Sequence, residues 1–556
     1  MDEDPDAAAP AAPPRSPPAS PPTGRPRRRP AITAAGLLLL AAAAALAPRT
    51  CRLDARPFHC DEAVQAVKTG ELYDGGRYRY DPFEFHGPSL YYLTLPVLKL
   101  RGARSFAEAR DADFRLVPAL FGAGLILLLL PLARGLGPTA TSTAAVLTAV
   151  SPAMVYFSRY YIQEMLLVGF AALALGALWH CHLSPRRRWR VLLGLALGLM
   201  FATKETSVVF CAALAAACAP LALARHRHRH SAGPHSPPRH PIRNALLVAA
   251  TAAAVAALFY SSFLTHPRGP LDSLLAFTHY LDRSGGSGSA AHHRHPWHYY
   301  LHLLLYTKNA PGPWWSEALI LALAATGLAA TALRRLPPAV NPTLAASLAT
   351  YTLCLTAAFS LIPYKTPWNL LGFLHAMILV AGIGTAWILH RLPWRPARAA
   401  VVLLLAAATT HLAAQAWRAC FRFGADPRNP YAYAHSVPDA PRLARRIADL
   451  AAIHPDGRSM PVHFITPEYW PLPYYLRQLD HVGYWHEIPA APDAPVVVAA
   501  TDLQERLEPL LRHPYAAEFY GLRPGVLLVC YVRQDLWQRY LERQRANHER
   551  PAPPPE

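Results

Sequence analysis

Residues 369–390 read NLLGFLHAMILVAGIGTAWILH, an apolar run without a single Asp, Glu, Lys or Arg. About 20 such residues form a helix that crosses the hydrocarbon core of a bilayer, where every backbone polar group must bond within the helix. Ten further runs have this character, although 191–204 is short and is expected to be tilted or continuous with a buried loop. The sequence therefore predicts an α-helical polytopic membrane protein with about eleven spans, at 31–48, 114–133, 138–157, 165–182, 191–204, 206–224, 244–264, 314–333, 343–362, 369–390 and 399–417.

The composition agrees with this prediction. Hydrophobic residues make up 53% of the 556 residues, and charged residues only 16%. Soluble domains carry nearer a quarter charged residues, so the apolar surface here must face lipid. The net charge of +19 lies in short arginine clusters between apolar runs, a pattern that indicates membrane orientation and contact with anionic membrane lipids. Nucleic acid is therefore not expected as a partner.

The arginine clusters also predict an orientation. If the N-terminus is inside the cell, nearly every dense cluster falls on one side, in the loops 134–138, 184–190, 225–243, 334–335 and 391–398. Such loops remain cytoplasmic, so we expect a multi-pass protein of the cytoplasmic (inner) membrane with a cytoplasmic N-terminus. Its first 30 residues form a Pro/Ala-rich tail that is expected to be disordered.

This arrangement of spans and loops divides the chain into three regions. The tail 1–30 precedes a transmembrane domain, 31–419, whose first outer loop is 49–113. An odd number of spans places the remaining segment, 420–556, outside the cytoplasm.

The segment 420–556 has the pattern of a small α/β domain. Short apolar runs predict strands at 462–465, 494–500 and 525–532. Helical spacing predicts helices at 443–453 and 503–511, and a charged helix at 534–550. The segment has no glycine-rich phosphate loop, so no nucleotide is expected there.

The predicted topology brings acidic and mixed-charge segments together on the outer side of the membrane. Charges at a membrane edge are commonly snorkelling side chains, but several mixed-sign clusters on one face favour a functional site. These segments are Asp61-Glu62 and His86-Gly87-Pro88 in the first outer loop, Arg159 with Glu164, Lys204-Glu205, and Lys365 in the turn 364–368.

Structural alternatives remain open for these groups. Asp61 could cap a helix, and Glu62 could be a favourable charge in the first turn of that helix. His86-Gly87-Pro88 could be only a turn. The remaining acidic side chains could form structural ion pairs with the cations beside them: Glu164 and Glu205 with Arg159 and Lys204.

Cysteines and histidines give weaker signals. Cys51 and Cys60 share the first outer loop and could form a disulfide in an oxidising compartment. The sequence has no CxxC motif, so a cysteine zinc site is not expected. One polar loop with Gly and Ser is rich in histidine, a pattern more typical of a solvated loop than of a metal site: His292, His293, His295 and His298.

Several motifs, in a fixed order and on one side of the membrane, carry a resemblance to a known family. They are FHCDEA (58–63), HGP (86–88), Ser158-Arg159 with Glu164, TKET (203–206), YKTPW (364–368), NPYAYAH (429–435) and YWPLPYYLR (469–477). With about eleven spans, this order resembles the C-type glycosyltransferase superfamily, which includes the dolichyl-phosphate-mannose–protein mannosyltransferases and the lipid A aminoarabinose transferases. The likeness is closer still to membrane proteins named for association with flippase activity in archaeal N-glycosylation, a family with bacterial members. It extends from about residue 31 to 535.

The resemblance implies transfer of a sugar from a polyprenyl-phosphate carrier to a glycan, lipid or protein acceptor outside the cytoplasm. The loop aspartate of the superfamily acts as the base, and Asp61 matches its position. Glu62 would orient a substrate hydroxyl or an arginine. Arg159 is the first choice for the donor phosphate because a guanidinium binds phosphate through two parallel hydrogen bonds. The expected substrate- and phosphate-binding residues are His86, Arg159, Glu164, Lys204, Glu205, Lys365 and Trp368.

Two questions stay open at this point. Some members of the superfamily bind a divalent metal at this face and others do not, and no ligand set in the sequence decides the matter. The alternatives to an enzyme are a flippase for lipid-linked sugars, or its associated protein, and a non-catalytic assembly protein. A transporter should show repeat-related halves and ionisable residues inside its spans. The sequence shows no internal repeat, and its charges gather at the outer surface, which favours the enzyme.

Overall fold

The protein is a bundle of apolar helices followed by a small domain built on a mixed β-sheet. A computed structural model describes residues 29–83, 86–231, 240–284, 293–309 and 311–549. The expected disordered tail, 1–30, lies outside the described residues except for its last two positions.

Helices form the bundle, and most of the strands lie in the C-terminal domain. The helices are α1 (Arg29–Thr50), α2 (Cys60–Gly75), α3 (Ser89–Leu100), α4 (Asp111–Leu127), α5 (Leu130–Val150), α6 (Pro152–Phe157), α7 (Glu164–Leu183), α8 (Arg187–Phe201), α9 (Ser207–Ser231), α10 (Pro241–Tyr260), α11 (Gly269–Ser284), α12 (Tyr299–Leu305), α13 (Ala318–Ala332), α14 (Pro342–Leu361), α15 (Leu371–Arg391), α16 (Arg395–Trp417), α17 (Asp439–Ala451), α18 (Leu472–Tyr475), α19 (Gln504–Leu507) and α20 (Gln534–Glu549). The strands are β1 (Thr307–Lys308), β2 (Trp314–Trp315), β3 (Val462–Ile465), β4 (Val482–Trp485), β5 (Val496–Ala500), β6 (Tyr515–Arg523) and β7 (Val526–Arg533).

Each apolar run that was predicted to cross the membrane is helical over most of its length. Among the described residues, six helices are long and apolar enough to span a bilayer: α7, α9, α10, α14, α15 and α16. Helices α4 and α5 pass the same test together, with a bend of 62° between them, and shorter apolar helices occur within α1 and at α13. The short run 191–204 corresponds to α8, which ends at Phe201. The polytopic α-helical fold class is thereby confirmed.

Helix α15 is the central element of the bundle. In the most apolar 18-residue stretch of Pro367–Arg391, 89% of the residues are buried, and the helix packs against α5, α7, α13 and α14. Close backbone approach makes this possible, since a Cβ placed on Gly384 would lie 2.0 Å from the carbonyl oxygen of Leu323. Small residues at helix contacts are the usual means of tight packing in membranes. Because α15 follows the turn 364–368 directly, its burial also fixes that turn.

The first outer loop contains two short helices, α2 and α3. The loop is tied to the turn between α8 and α9, where the Ser89 amide donates to the Ala202 carbonyl at 2.9 Å. The hydroxyls of Ser89 and Thr203 are also bonded, at 2.7 Å. The HGP segment therefore lies directly beside the Lys204-Glu205 turn.

The C-terminal domain carries a five-stranded sheet of order β4-β3-β5-β7-β6. Strand β3 runs parallel to β4 and β5, whereas β5, β7 and β6 are antiparallel neighbours. Helix α17 packs its apolar side against this sheet, so that Leu443 and Ile447 share a core with Phe464 and Val498. The three predicted strands correspond to β3, β5 and β7, and α17 and α20 lie where helices were predicted.

Two strands and one helix differ from the sequence prediction. The unpredicted strands, β4 and β6, lie at the two edges of the sheet. Edge strands are only half covered, so their apolar pattern is weak, as in the sequence YAAEFYGLR of β6. The helix predicted at 503–511 is reduced to α19 between two 3₁₀ turns, because Pro509 cannot donate to a helical hydrogen bond.

Gly137 interrupts α5 and separates its two helical pieces. Its backbone is left-handed, with φ 77°, and a Cβ there would lie 2.8 Å from the carbonyl oxygen of Ala339. The neighbouring backbone is held by a hydrogen bond from the Asn341 amide to the Gly135 carbonyl at 2.7 Å. Only glycine fits this conformation and this contact without strain.

We expect Gly137→Ala to destabilise the protein by about 1–2 kcal/mol or more, because it combines an unfavourable φ with a steric contact. Thermal unfolding of the detergent-solubilised protein measures the effect. Gly124→Ala is the matched control, since no atom lies within 4 Å of a Cβ at that helical position. Equal unfolding temperatures for the two variants would contradict the assignment.

Candidate functional site

The Asp61-Glu62 pair lies in the first turn of α2, and His59 caps that helix. The Asp61 amide donates to His59 Nδ1 at 3.1 Å, and the His59 amide donates to Glu62 Oε2 at 3.0 Å. This reciprocal arrangement is a capping box, which satisfies amides that a helix leaves unpaired at its start. Successive residues on a helix point about 100° apart, so the two carboxylates face different surroundings.

Glu62 is fully buried and bound on all sides. Arg115 donates to it through Nε (2.7 Å) and Nη2 (2.8 Å), and Arg56 donates through Nη2 (3.2 Å). The Tyr161 amide adds a further bond at 2.9 Å. Burial alone would raise the pKa of the Glu62 carboxyl, but the arginines, Arg115 first, outweigh burial and hold the pKa well below its usual range. Of the two roles expected for Glu62, the structure shows contact with arginine, and no oxygen remains for a substrate hydroxyl.

Asp61 is the open member of the pair. Its side chain is 46% exposed. One carboxylate oxygen, Oδ1, lies 3.5 Å from Cys60 Sγ and 3.9 Å from His59 Nδ1. Of the two adjacent carboxylates, only Asp61 can therefore meet a molecule that approaches from outside.

Aromatic and histidine rings pack around His59, next to Asp61, and this group of residues is called the Asp61 cluster below. The buried His59 ring lies 5.6 Å from Trp368, 5.7 Å from His435 and 5.7 Å from Tyr160, measured between centroids. Tyr433 lies 6.2 Å from Trp368 and bonds His293 Nδ1 through its hydroxyl at 2.9 Å. Trp368 thus belongs to the same cluster as the α2 cap.

Two polar atoms in this cluster are buried without a hydrogen-bond partner in the described structure: Tyr160 Oη and His435 Nε2. The Nδ1 atom of His435 bonds the Ser436 carbonyl at 3.1 Å, so this nitrogen carries the proton and Nε2 is left as an acceptor. Burial holds the pKa of His435 well below its usual value, with Arg56 adding to the effect. Buried polar atoms without a protein partner are uncommon and are available to bond a bound molecule or solvent.

Arg159 has a different environment from the one expected. Its guanidinium donates to the carbonyls of Pro48 (2.8 Å), Cys51 (2.7 Å) and Arg52 (3.1 Å), and its side chain lies over the Phe421 ring. These bonds satisfy carbonyls at the end of α1. Arg159 therefore holds the outer loop to the bundle. Within the described residues, no hydrogen bond joins its guanidinium to Asp61 or to the rings around His59.

The other charged residues of the expected site form pairs. Lys204 binds Glu164, and both side chains are buried. His86 Nδ1 bonds Glu205 Oε2 at 2.8 Å. For Glu205, burial would raise the carboxyl pKa, but the neighbouring His86 outweighs burial and lowers it. Of the structural ion pairs that the sequence allowed, Glu164 with Lys204 is formed, whereas Glu205 pairs with His86 and not with Arg159 or Lys204.

A small cavity lies between Glu164 and Trp368, and Thr206 and Asn369 also line it. Trp368 therefore lies near His59 of the α2 cap and also lines a cavity with Glu164.

Lys365 lies in the turn just before Trp368. It is buried, donates to the carbonyl of Ile362, and has the Tyr300 ring 6.0 Å from its ammonium. Burial lowers the pKa of this lysine.

The described residues show whether the disulfide and the metal-ligand groups considered from the sequence are formed. Cys51 and Cys60 are both free. The single group of three metal-type ligands in the described chain is His59, Cys60 and Asp61, whose ligand atoms lie within 4.8 Å of one another. His293, His295 and His298 form no such group, and His292 lies outside the described residues.

Comparison with known proteins gives a family match over part of the chain and a fold over most of it. The sequence model of the dolichyl-phosphate-mannose-protein mannosyltransferase family matches residues 86–237, which include His86, Arg159, Glu164, Lys204 and Glu205 but not Asp61. No curated protein sequence matches significantly.

Solved structures match over nearly the whole chain. ArnT from Cupriavidus metallidurans bound to undecaprenyl phosphate aligns with a TM-score of 0.61 at 16% identity, over 89% of this chain and 98% of that chain. The archaeal oligosaccharyltransferase AglB from Archaeoglobus fulgidus, in complex with an inhibitory peptide and a dolichol-phosphate, aligns with a TM-score of 0.53 at 14% identity, over 85% and 70%. The chain has the C-type glycosyltransferase fold. The resemblance seen in the sequence is confirmed at the level of the fold, and a family match over residues 86–237 agrees with it. The closer likeness to the flippase-associated family stays a prediction.

The YYLR segment docks the C-terminal domain against the first outer loop. Tyr474 stacks on Phe58 with ring centroids 4.4 Å apart, and its hydroxyl donates to Asp111 at 2.8 Å. The Phe58 amide donates to the Tyr475 hydroxyl at 2.7 Å. Arg477 donates to the carbonyls of Phe106 (3.1 Å) and Ala109 (2.6 Å). The domain therefore holds both ends of the outer loop that carries Asp61.

Sequence reasoning did not single out Tyr160, His435 or Arg523 as site residues. Arg523, at the end of β6, pairs with Glu468, and its charge lowers the pKa of the nearby His59, where burial is the larger cause. The His435 and Tyr475 motifs were visible in the sequence, whereas no local pattern marks Arg523.

The docking of the C-terminal domain on the first outer loop can be tested at the hydroxyl of Tyr475. Tyr475→Phe removes the acceptor of the Phe58 amide, and leaving a buried donor unpaired costs about 1–3 kcal/mol. We expect a lower unfolding temperature and faster proteolysis of the loop 51–110. Tyr469→Phe, in the same domain but outside this interface, is the control. If the loop 51–110 of Tyr475→Phe is proteolysed at the native rate, docking through Tyr475 does not hold this loop.

Proposed function

We propose that this protein is a membrane glycosyltransferase that takes a sugar from a polyprenyl-phosphate carrier and uses Asp61 as its base. The observation that carries the proposal is the different burial of two adjacent carboxylates. Glu62 is buried against Arg115 and Arg56, whereas Asp61 is exposed beside His59, and burial, with the Asp61 charge adding to it, raises the pKa of Tyr433. The fold and the matched family supply the reaction class.

The chemistry follows from this arrangement. An acceptor hydroxyl attacks the anomeric carbon, and its proton passes to the Asp61 carboxylate. The bond between that carbon and the phosphate oxygen breaks through an oxocarbenium-like transition state. The polyprenyl phosphate leaves with the bonding electrons and needs no strong general acid.

The leaving phosphate needs donors for its developing charge. Lys365, in the turn before Trp368, and Arg523, whose charge adds to burial in lowering the pKa of His59, are proposed for this role. Arg56 lies closer to Tyr160 but is paired with Glu62, and Lys204 is paired with Glu164. Arg159 is left out of this set, because its guanidinium is occupied by three carbonyls. Tyr160 Oη and His435 Nε2 are proposed to bond sugar or acceptor hydroxyls, since both are buried and unpaired.

The ligand trio at Asp61 does not fit a metal well. His59 Nδ1 already accepts the Asp61 amide. Burial, with the Asp61 charge adding to it, raises the pKa of the Cys60 thiol, whereas a metal ligand must be a thiolate. No step of the proposed reaction is therefore assigned to a metal.

The proposed membrane orientation puts the N-terminus in the cytoplasm and the C-terminal domain outside, with the Asp61 cluster on the outer face. A reporter that is active only outside the cytoplasm should be active after Glu556 and silent after Arg188. A silent reporter at Glu556 would reverse the proposed sidedness, because Asp61 and the C-terminal domain are docked together.

Asp61→Asn should reduce sugar transfer by about 10²–10⁴-fold, the usual contribution of a positioned base, without a change in unfolding temperature. The measurement is transfer from labelled polyprenyl-phosphate sugars to acceptor by purified protein. Near-normal transfer by Asp61→Asn would exclude this role.

Glu62→Gln serves as the contrasting variant. It leaves two buried guanidinium groups without their counter-charge, and breaking such a pair costs about 3–5 kcal/mol. We expect this variant to lose stability first, and activity only as a consequence. If no lipid-linked sugar supports transfer by the native protein, the glycosyltransferase proposal fails.

A further inference from the structure

A cavity of about 450 Å³ lies far from the Asp61 cluster. It is lined by residues of α5, of the segment before α14, of the end of α15 and of the start of α16, among them Thr139, Pro338, Ala386, His390 and Arg398. Helix α15 has 21 residues and rises 1.5 Å per residue. The cavity at its last turn is therefore about 30 Å from Trp368, which precedes its first turn, and it is separate from the proposed active site.

The charge around this cavity has one sign. Arg398 and His390 line it, and the loops at this end of the bundle, 134–138, 184–190, 225–243, 334–341 and 391–398, contain no Asp or Glu in their sequence. Arg398 donates one hydrogen bond, from Nη2 to the Leu392 carbonyl at 2.8 Å, and a guanidinium has five N–H groups. An anion placed in the cavity thus meets donors and no repelling carboxylate.

The walls continue into an apolar surface. Val402 lies one turn beyond Arg398 on α16, and Val402, Leu403 and Leu404 are exposed. Residues four apart share one face of a helix. A molecule whose anionic end binds Arg398 can therefore lay a hydrocarbon chain along α16. A volume of 450 Å³ is within the range of ordinary ligand pockets.

We propose that this cavity binds the headgroup of an anionic phospholipid. The phosphate lies between His390 and Arg398, and an acyl chain follows the exposed face of α16. Basic pockets between membrane helices are known sites for anionic headgroups. The proposal is independent of the reaction at Asp61, because it concerns the opposite end of α15.

The test is native mass spectrometry of the purified full-length protein with dioleoyl phosphatidylglycerol or dioleoyl phosphatidylcholine. These lipids have the same chains and differ in net charge. We expect the native protein to retain phosphatidylglycerol preferentially. Arg398→Gln should weaken this retention by about fivefold, the effect of one basic residue near anionic lipid. Thr139→Trp should abolish it by filling the cavity without a change in charge.

Arg187→Gln is the matched control, because Arg187 is exposed at the start of α8 and does not line the cavity. It should retain lipid like the native protein. Equal binding of both lipids, native-like retention by folded Arg398→Gln and Thr139→Trp, or an equal loss in Arg187→Gln would each overturn the proposal. Displacement of the lipid by millimolar inorganic phosphate would also overturn it, because the site would then recognise a free anion.

Discussion

The buried carboxylate of Glu62 is the interaction on which the outer half of this protein depends. It joins the cap of α2, the guanidinium of Arg115 on α4, Arg56 in the first outer loop and the Tyr161 amide before α7. An isolated buried charge is strongly disfavoured. Its burial is therefore compatible with folding only when all of these donors are in place at once. This requirement fixes the start of α2 relative to the bundle more tightly than apolar packing alone could.

The same constraint separates the roles of two neighbouring acidic residues. Because the first turn of α2 is oriented by Glu62, Asp61 faces different surroundings from the Arg115 pair, and its carboxylate lies near Cys60 and His59. The exposed carboxylate thus gains a fixed position without arginine contacts of its own. A carboxylate that is paired with Arg115, like that of Glu62, would be a poor proton acceptor, because the pairing stabilises its ionised form.

Two further sets of contacts hold this arrangement from opposite sides. Central helix α15 fixes the turn with Lys365 and Trp368 from within the bundle. The C-terminal domain fixes Phe58 and the segment before α4 from outside, through Tyr474, Tyr475 and Arg477. The soluble domain is therefore a structural part of the candidate site, although it contributes few residues that border Asp61.

The sequence by itself determined the positions of the spans, since membrane crossing depends on apolar length, which is local. It also located the central strands, whose apolar runs are mostly buried, and the segments that carry the charged residues of the candidate site. Only the tertiary structure decided which charges pair. Glu164 binds Lys204 instead of its near neighbour Arg159, and Glu62 binds Arg115, which is 53 positions away. Such choices depend on distances between helices and on which carbonyls are left unpaired, as at the end of α1 for Arg159. No local pattern in the sequence encodes them.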